Sequence, residues 1–389
     1  MTSPAKKIAL YVLMISAMAF ATRITNNMIS TTAPLIAKYS YGMNSFEVGL
    51  TGTLIYAATL VSTALINPRL DSKMRKNVFV SASILATLSE VLLLLGTIPL
   101  FWLSIGLFGF FTGFLFTNLI TSISMVSEGV TRERFLAGYS ISLSLGLVIG
   151  PTIETETLSF LPYNLIILEF LPFMIVVSAL SFLVKFKEKN ETKGISGIGK
   201  NPGFLTSILA ITAYNVPFAA FTVFMAIYLR TQFHVSLVFS FSVYILFFLT
   251  SFVTRIYLFI RPLRAIKKPL FFLIYLTIIC VVLIPVLTVF HNVYAVLFVI
   301  AVLGIPHGGI FPISTIMLSR GVPRESLNAA NSYFMSYNNV LFIIIPAIFG
   351  AIADIQNELY AFAYMAIAPI ISLALIKAKY AKNSIVFHS

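Results

Sequence analysis

Twelve mostly apolar runs follow one another along the chain, at approximately 8–37, 46–68, 77–97, 99–126, 135–158, 163–186, 203–229, 235–260, 269–290, 293–318, 328–352 and 357–377. An α-helix needs about 20 apolar residues to cross the ~30 Å hydrocarbon core of a bilayer. Backbone in lipid has to satisfy its own hydrogen bonds, so only helices and closed barrels span it. The apolar–polar alternation of barrel strands is absent. The runs therefore predict twelve transmembrane helices. The chain is 59% apolar and 10% charged, against about 25% charged in a soluble domain. Lipid is its solvent. The first run is too long for a signal h-region and contains Arg23, which makes it a first span.

Twelve spans divide the polar breaks into two alternating sets. One set holds all but four of the 26 Lys and Arg residues. The other holds only Lys38 and Arg230, while Arg23 and Arg255 fall within spans. Cytoplasmic loops carry the basic excess, so both termini are expected in the cytoplasm of a multi-pass cell-membrane protein. The net charge of +13 is thereby assigned to topology and anionic membrane lipids rather than to nucleic acid. Arg255, toward the cytoplasmic end of span eight, is expected to snorkel.

Gly129-Val130-Thr131-Arg132-Glu133 has a near copy at Gly321-Val322-Pro323-Arg324-Glu325, and each follows a span bearing a Gly-x-x-x-Gly pair, Gly109/Gly113 and Gly304/Gly308. A repeat at about half the chain length, in equivalent breaks, points to two related six-helix halves, as in many secondary transporters. The expected division is 1–186, a linker at 187–202, and 203–389. The linker contains Gly194-Ile195-Ser196-Gly197-Ile198-Gly199-Lys200-Asn201, which nearly spells a phosphate-binding loop. It lacks the Ser or Thr hydroxyl for Mg²⁺, a charged run precedes it where a strand is needed, and Pro202 follows, so it reads as a tether. The sequon Asn190-Glu191-Thr192 in this cytoplasmic linker is not expected to carry glycan.

The break after span two, Asn67-Pro68-Arg69-Leu70-Asp71-Ser72-Lys73-Met74-Arg75-Lys76, resembles the Major Facilitator Superfamily signature G-x-L-x-D-R-x-G-R-K. Asp71, Arg75 and Lys76 match, while Asn67 and Met74 replace both glycines. In span five, Gly146-Leu147-Val148-Ile149-Gly150-Pro151 resembles the G-x-x-x-G-P element of the superfamily's drug/proton antiporter branch. Glu154 replaces a later glycine there, and span four has Gly109 where that branch carries an arginine. The resemblance implies an all-α membrane protein of twelve transmembrane helices in two pseudo-symmetric six-helix halves. It also implies a cytoplasmic latch at Asp71, Arg75 and Lys76 and a helix bend or close approach at Gly146, Gly150 and Pro151.

Ionisable groups in the hydrocarbon region cost several kcal/mol unless paired or hydrated, so each is a functional candidate. Arg23, Asn26, Asn27 and Ser30 lie at i, i+3, i+4 and i+7, one polar stripe on span one. A cation there either binds an anionic substrate or holds a carboxylate partner. Among the carboxylates, Glu154 is the first candidate for proton coupling, because the resemblance places span five on the cavity. Glu169 is the second, and Glu90 and Glu169 are expected to be neutral and hydrogen-bonded to each other or to Ser89. Substrate-site candidates beyond span one are Asn118, Tyr214, Asn215, His307, Asn338 and Asn339. The four His and the one Cys are scattered, so no metal and no cofactor are expected, and no nucleophile–base arrangement suggests an enzyme.

The expected function is secondary active transport of a small organic solute by alternating access. It is read as proton-coupled export of a drug-like or amphipathic molecule by a monomer, with protons or another ion as the coupling partner. The alternatives are import of a small organic anion with Arg23 as counter-charge, and a nontransporting receptor or scaffold.

Overall fold

A computed structural model describes residues 4–43, 45–126, 129–157, 161–186, 197–261 and 269–380. The sequon and the first part of the phosphate-loop look-alike lie outside them. No strand occurs among the described residues. The helices are α1 (Pro4–Leu35), α2 (Ser45–Val61), α3 (Ser72–Leu92), α4 (Ile98–Val126), α5 (Gly129–Thr157), α6 (Ile167–Ser181), α7 (Pro202–Phe233), α8 (Leu237–Ile260), α9 (Pro269–Val286), α10 (Val293–Gly321), α11 (Leu327–Ile355), α12 (Glu358–Met365) and α13 (Ile367–Leu375). Among the described residues, eleven segments are helical, long and apolar enough to cross a membrane, with α12 and α13 forming one of them. Phe271–Val286 is a shorter apolar helix that supplies the twelfth.

Helix starts follow local chemistry. Asp71, Asn201, Ser236, Asn292 and Asn357 each accept a hydrogen bond from a backbone N–H of the turn they open. That satisfies donors which have no partner inside the helix.

Two compact units form. Unit 1 contains Met1–Glu128, Ile141–Ser196 and Arg324–Asn339; unit 2 contains Gly129–Ser140, Gly197–Pro323 and Val340–Ser389. Thus α5 begins in unit 2 and continues into unit 1, whereas α11 begins in unit 1 and continues into unit 2. Within unit 1, α4 packs on α2 and α3, and α6 packs on α1 and α3. Within unit 2, α10 packs on α7, α8 and α9.

Glycines set the closest of these contacts. A side chain at Gly109 would meet the Ile55 carbonyl, and one at Gly113 the Ser62 hydroxyl, so α4 lies directly on α2 and its π-helical extension Ser62–Ile66. A side chain at Gly304 would meet Thr250 and the Phe247 carbonyl, and one at Gly308 the Ser251 carbonyl, so α10 lies directly on α8. The repeated glycine pairs do the same job in each unit: they let two helix backbones touch. The repeated pentapeptides do not. Gly129 opens α5 at φ 61°, whereas Gly321 closes α10 with its Cα against Gly203.

Candidate functional site

In unit 1 the polar stripe of α1 meets α5. Gly146 and Gly150 bring α5 onto α1: a side chain at Gly146 would lie 3.0 Å from the Ile24 nitrogen and 3.2 Å from Arg23 Cβ, and one at Gly150 3.2 Å from Ile24. The helix of α5 runs on through Pro151. Asn26 is buried; Arg23, Asn27 and Ser30 are half-buried. Ser30 Oγ donates to the Asn26 carbonyl at 2.8 Å. Among the described residues, no hydrogen bond or ion pair reaches Arg23.

Glu154 is 5% exposed. Its partners come from α1, and they are hydroxyls. Thr31 Oγ1 donates to Oε2 and Thr32 Oγ1 to Oε1, each at 2.7 Å. Thr31 Oγ1 also lies 3.0 Å from the Asn27 carbonyl and 3.1 Å from the Met28 carbonyl. The carboxyl is thus held without a cation. Thr31 follows Arg23 by eight residues, about 12 Å along a helix, which separates the guanidinium from the carboxyl. The sequence reading missed both threonines. Apolar-looking Thr-Thr next to Ala and Pro carries no charge signal.

A second polar cluster in unit 1 joins three helices through amides. Asn118 of α4 donates to Asn67 Oδ1 at 2.7 Å and to the Phe114 carbonyl at 2.8 Å. Asn67 donates to Asn328 Oδ1 at 3.1 Å and to Ser332 Oγ at 2.8 Å, and Asn328 donates back to the Asn67 carbonyl at 2.8 Å. Further along α11, Asn331 donates to Thr121 at 3.1 Å and Ser336 to Thr63 at 2.9 Å. Asn338 donates to the Phe334 carbonyl at 2.6 Å, and the Asn339 side-chain amine is buried with no partner among the described residues. Asn118 therefore belongs to this amide cluster, centred on the Asn67 that stands in the signature's first glycine position.

The matched signature residues work locally. Asp71 caps α3, accepting from the Met74 N–H at 2.7 Å. Lys76 donates to the Ser181, Phe182 and Val184 carbonyls at 2.7–2.8 Å, closing the end of α6. Arg75 is fully buried, its guanidinium 4.8 Å from the Phe186 ring centroid.

In unit 2, α7, α8 and α10 gather aromatic rings around His307. Its ring centroid lies 4.4 Å from Phe218, 4.8 Å from Tyr214 and from Phe247, and 5.5 Å from Phe248. The Ser251 hydroxyl lies 2.6 Å from Nδ1. Gly304 and Gly308 flank His307 and let α8 approach closely enough for that bond. Asn215, next to Tyr214 on α7, is buried. Sequence reasoning found His307, Tyr214 and Asn215 but not the ring cage, because phenylalanine is too common here (36 residues) to mark a site.

The other charges separate from these sites. Glu90 is fully buried, and among the described residues neither carboxyl oxygen has a hydrogen-bond partner. Glu169 is exposed in the first turn of α6. The expected bond between them does not form, and Ser89 donates instead to the Ala86 carbonyl. Arg255 does not snorkel. It is 3% exposed, donates to the Ser140 carbonyl at 2.6 Å and lies 5.8 Å from the Phe311 ring, because α5 supplies a buried acceptor. Arg320 pairs with Glu133 of the first pentapeptide, both almost completely buried. Among the described residues, no three of His, Cys, Asp and Glu gather as metal ligands.

The backbone as a whole resembles solved transporters. A human organic anion transporter superposes with TM-score 0.79 at 11% identity, covering 96% of this chain and 100% of its own. The E. coli fucose:proton symporter superposes with TM-score 0.78 at 14% identity, covering 95% and 98%. A proton:xylose symporter bound to 6-bromo-6-deoxy-D-glucose gives TM-score 0.81 at 10% identity, covering 98% and 97%. At these identities the likeness establishes the fold. No curated protein matches the chain in sequence. Residues 15–346, however, match the family described as the Major Facilitator Superfamily, and the chain, a multi-pass membrane transporter and not an enzyme, belongs to that superfamily.

Proposed function

We propose that this protein is a proton-coupled secondary transporter of a small organic anion in the cell membrane, working by alternating access. The observation that carries the reading is the division of labour on α1. Arg23 stands half-buried with no described partner, and Glu154 of the facing α5 is bonded instead to Thr31 and Thr32. A guanidinium in a membrane bundle needs an anion or water. It offers a planar fork that fits a carboxylate or sulfonate. A human organic anion transporter of the same fold supports the substrate class.

Glu154 is the proton-coupling group. Thr31 can serve either protonation state. With the carboxylate, its hydroxyl donates to Oε2. With the acid, the carboxyl O–H donates to Thr31 Oγ1, and the Thr31 proton turns to the Asn27 or Met28 carbonyl, already within 3.1 Å. Neither state leaves a polar atom unsatisfied, which a buried titrating group requires. The basic-loop asymmetry supports cytoplasmic termini.

The test is a thermal-shift screen of aromatic and aliphatic carboxylates, sulfonates, amines and neutral solutes. Counterflow of each stabilising solute in liposomes follows, for wild type, Arg23→Lys and Arg23→Ala. Anions are expected to stabilise the wild type and to lose affinity in Arg23→Ala. A cationic or neutral solute carried at unchanged affinity by Arg23→Ala would overturn the anion reading. It would favour export of a drug-like amphipathic molecule instead, a reading to which the phenylalanine-rich unit 2 lends support.

A further inference from the structure

The Arg23–Glu154 chemistry leaves one buried carboxyl of unit 1 without a role, Glu90 in the last turn of α3. Near this end α3 is bonded to two neighbours. Ser104 of α4 donates to the Ser89 carbonyl. Thr87 donates to the Met174 carbonyl of α6 at 3.2 Å and lies 2.9 Å from Ser178 Oγ, while Ser178 donates to the Ser83 carbonyl at 2.9 Å. Each of these hydroxyls has a partner. Glu90, in their midst along α3, is 0% exposed, and among the described residues neither of its oxygens has one.

The helices packed on α3 bring no cation to this corner. Helix α4 has no ionisable residue, and α6 has only Glu169, which is exposed. The 3-10 turn Leu93–Leu95 has none, and Tyr163, in the turn Tyr163–Leu165 that packs on it, is the remaining titratable group. On α3 itself the nearest charge is Lys76, fourteen residues earlier and ~21 Å along the helix. A carboxylate buried without donor or counter-charge is far costlier than the neutral acid, so Glu90 holds its proton here. Even the acid gains nothing, since its O–H meets no described acceptor, and methionine or leucine would fill the space without a stranded polar group. The carboxyl is matched to another arrangement, in which α3 parts from α4 and α6 and water reaches it. We propose that Glu90 is a proton-binding site that locks this corner of unit 1: the corner is closed while Glu90 carries the proton and opens when the proton leaves. A hydrated glutamate is ionised at neutral pH. Opening therefore releases one proton and is favoured as pH rises.

Two measurements on the purified full-length protein in lipid test the lock. The infrared C=O stretch of un-ionised carboxyls is recorded at neutral pH for wild type, Glu90→Gln and Glu154→Gln. Glu90→Gln is expected to lose a component that Glu154→Gln keeps. Hydrogen–deuterium exchange, corrected for the pH dependence of the chemical step, then follows the backbone over 83–95. In wild type the opening equilibrium there is expected to rise about tenfold for a one-unit rise in pH near neutrality, and in Glu90→Gln by less than about twofold. Glu90→Met serves if the glutamine variant fails to fold. If both fail, the wild-type slope over 83–95, set against a flat slope over α10, decides alone. The proposal is overturned if the component lost in Glu90→Gln is a carboxylate band, if wild-type opening does not depend on pH, or if the variant keeps the wild-type slope. Because neither measurement needs a solute, failure here leaves the anion reading of Arg23 untouched.

Discussion

The α1–α5 contact of unit 1 and the α8–α10 contact of unit 2 are built alike and equipped differently. In each, glycines one turn apart let two helix backbones touch, Gly146 and Gly150 in one, Gly304 and Gly308 in the other. Against the first contact stand a guanidinium with no described partner and a carboxyl held by two hydroxyls. Against the second stands an imidazole that a hydroxyl and aromatic rings contact. The comparison teaches that the same packing device can carry different titratable chemistry. Close packing is the shared requirement; charge is the local choice.

The largest expected effect tests the shared packing device where it is repeated in the sequence, α4 on α2 and α10 on α8. Gly109→Leu and Gly304→Leu each push a side chain into a backbone carbonyl that cannot retreat without moving a helix. Each is expected to destabilise by more than about 3 kcal/mol and to give aggregated protein on size-exclusion chromatography. Gly106→Ala on the same α4, whose added carbon would meet only the flexible Leu54 side chain at 3.6 Å, should remain monodisperse. If one glycine variant tolerates leucine and the other does not, the two contacts are not equivalent.

The next effect tests the divergent half. Glu154→Gln keeps the volume and a hydrogen-bond acceptor but cannot titrate. It is expected to abolish pH-gradient-driven accumulation in liposomes while counterflow stays within about threefold of wild type, the effect of one altered hydrogen bond in a membrane. Accumulation at the wild-type level would remove Glu154 from coupling and pass the role to Glu90 or His307. Thr31→Val should have a smaller and more specific effect. It removes the hydroxyl that serves both protonation states, so the pH profile of transport should shift while affinity for the solute holds, a split that a purely structural threonine would not produce.

The fold was legible because lipid enforces it: twelve apolar runs, a basic-loop alternation and a repeated glycine pair all read directly from the chain. The candidate site was legible only where a charge stood out, as at Arg23 and Glu154. Thr31 and Thr32 were invisible because hydroxyls are common in helices, where they usually return a bond to their own backbone, as Thr22 does to Met18. Asp71 and Lys76 matched a motif, yet their described bonds cap neighbouring helix ends. Asn67, read as a departure from that motif, turned out to be the centre of the amide cluster. A substitution for glycine reports lost space, and only the fold shows what fills it.

The smallest expected effect returns to unit 2. Ser251→Ala removes a hydrogen bond to the His307 ring and leaves the four-ring cage intact. A single hydrogen bond between membrane helices contributes about 0.6 kcal/mol on average, which for a chain of this size lowers the thermal midpoint by only about 1 °C. The remaining contacts should then keep His307 in place, and gradient-driven transport should match wild type. A large loss of coupling in Ser251→Ala, with Thr31→Val silent, would reverse the comparison. The proton would then be handled in the aromatic unit, and the hydroxyl pair on α1 would be a packing device for Glu154.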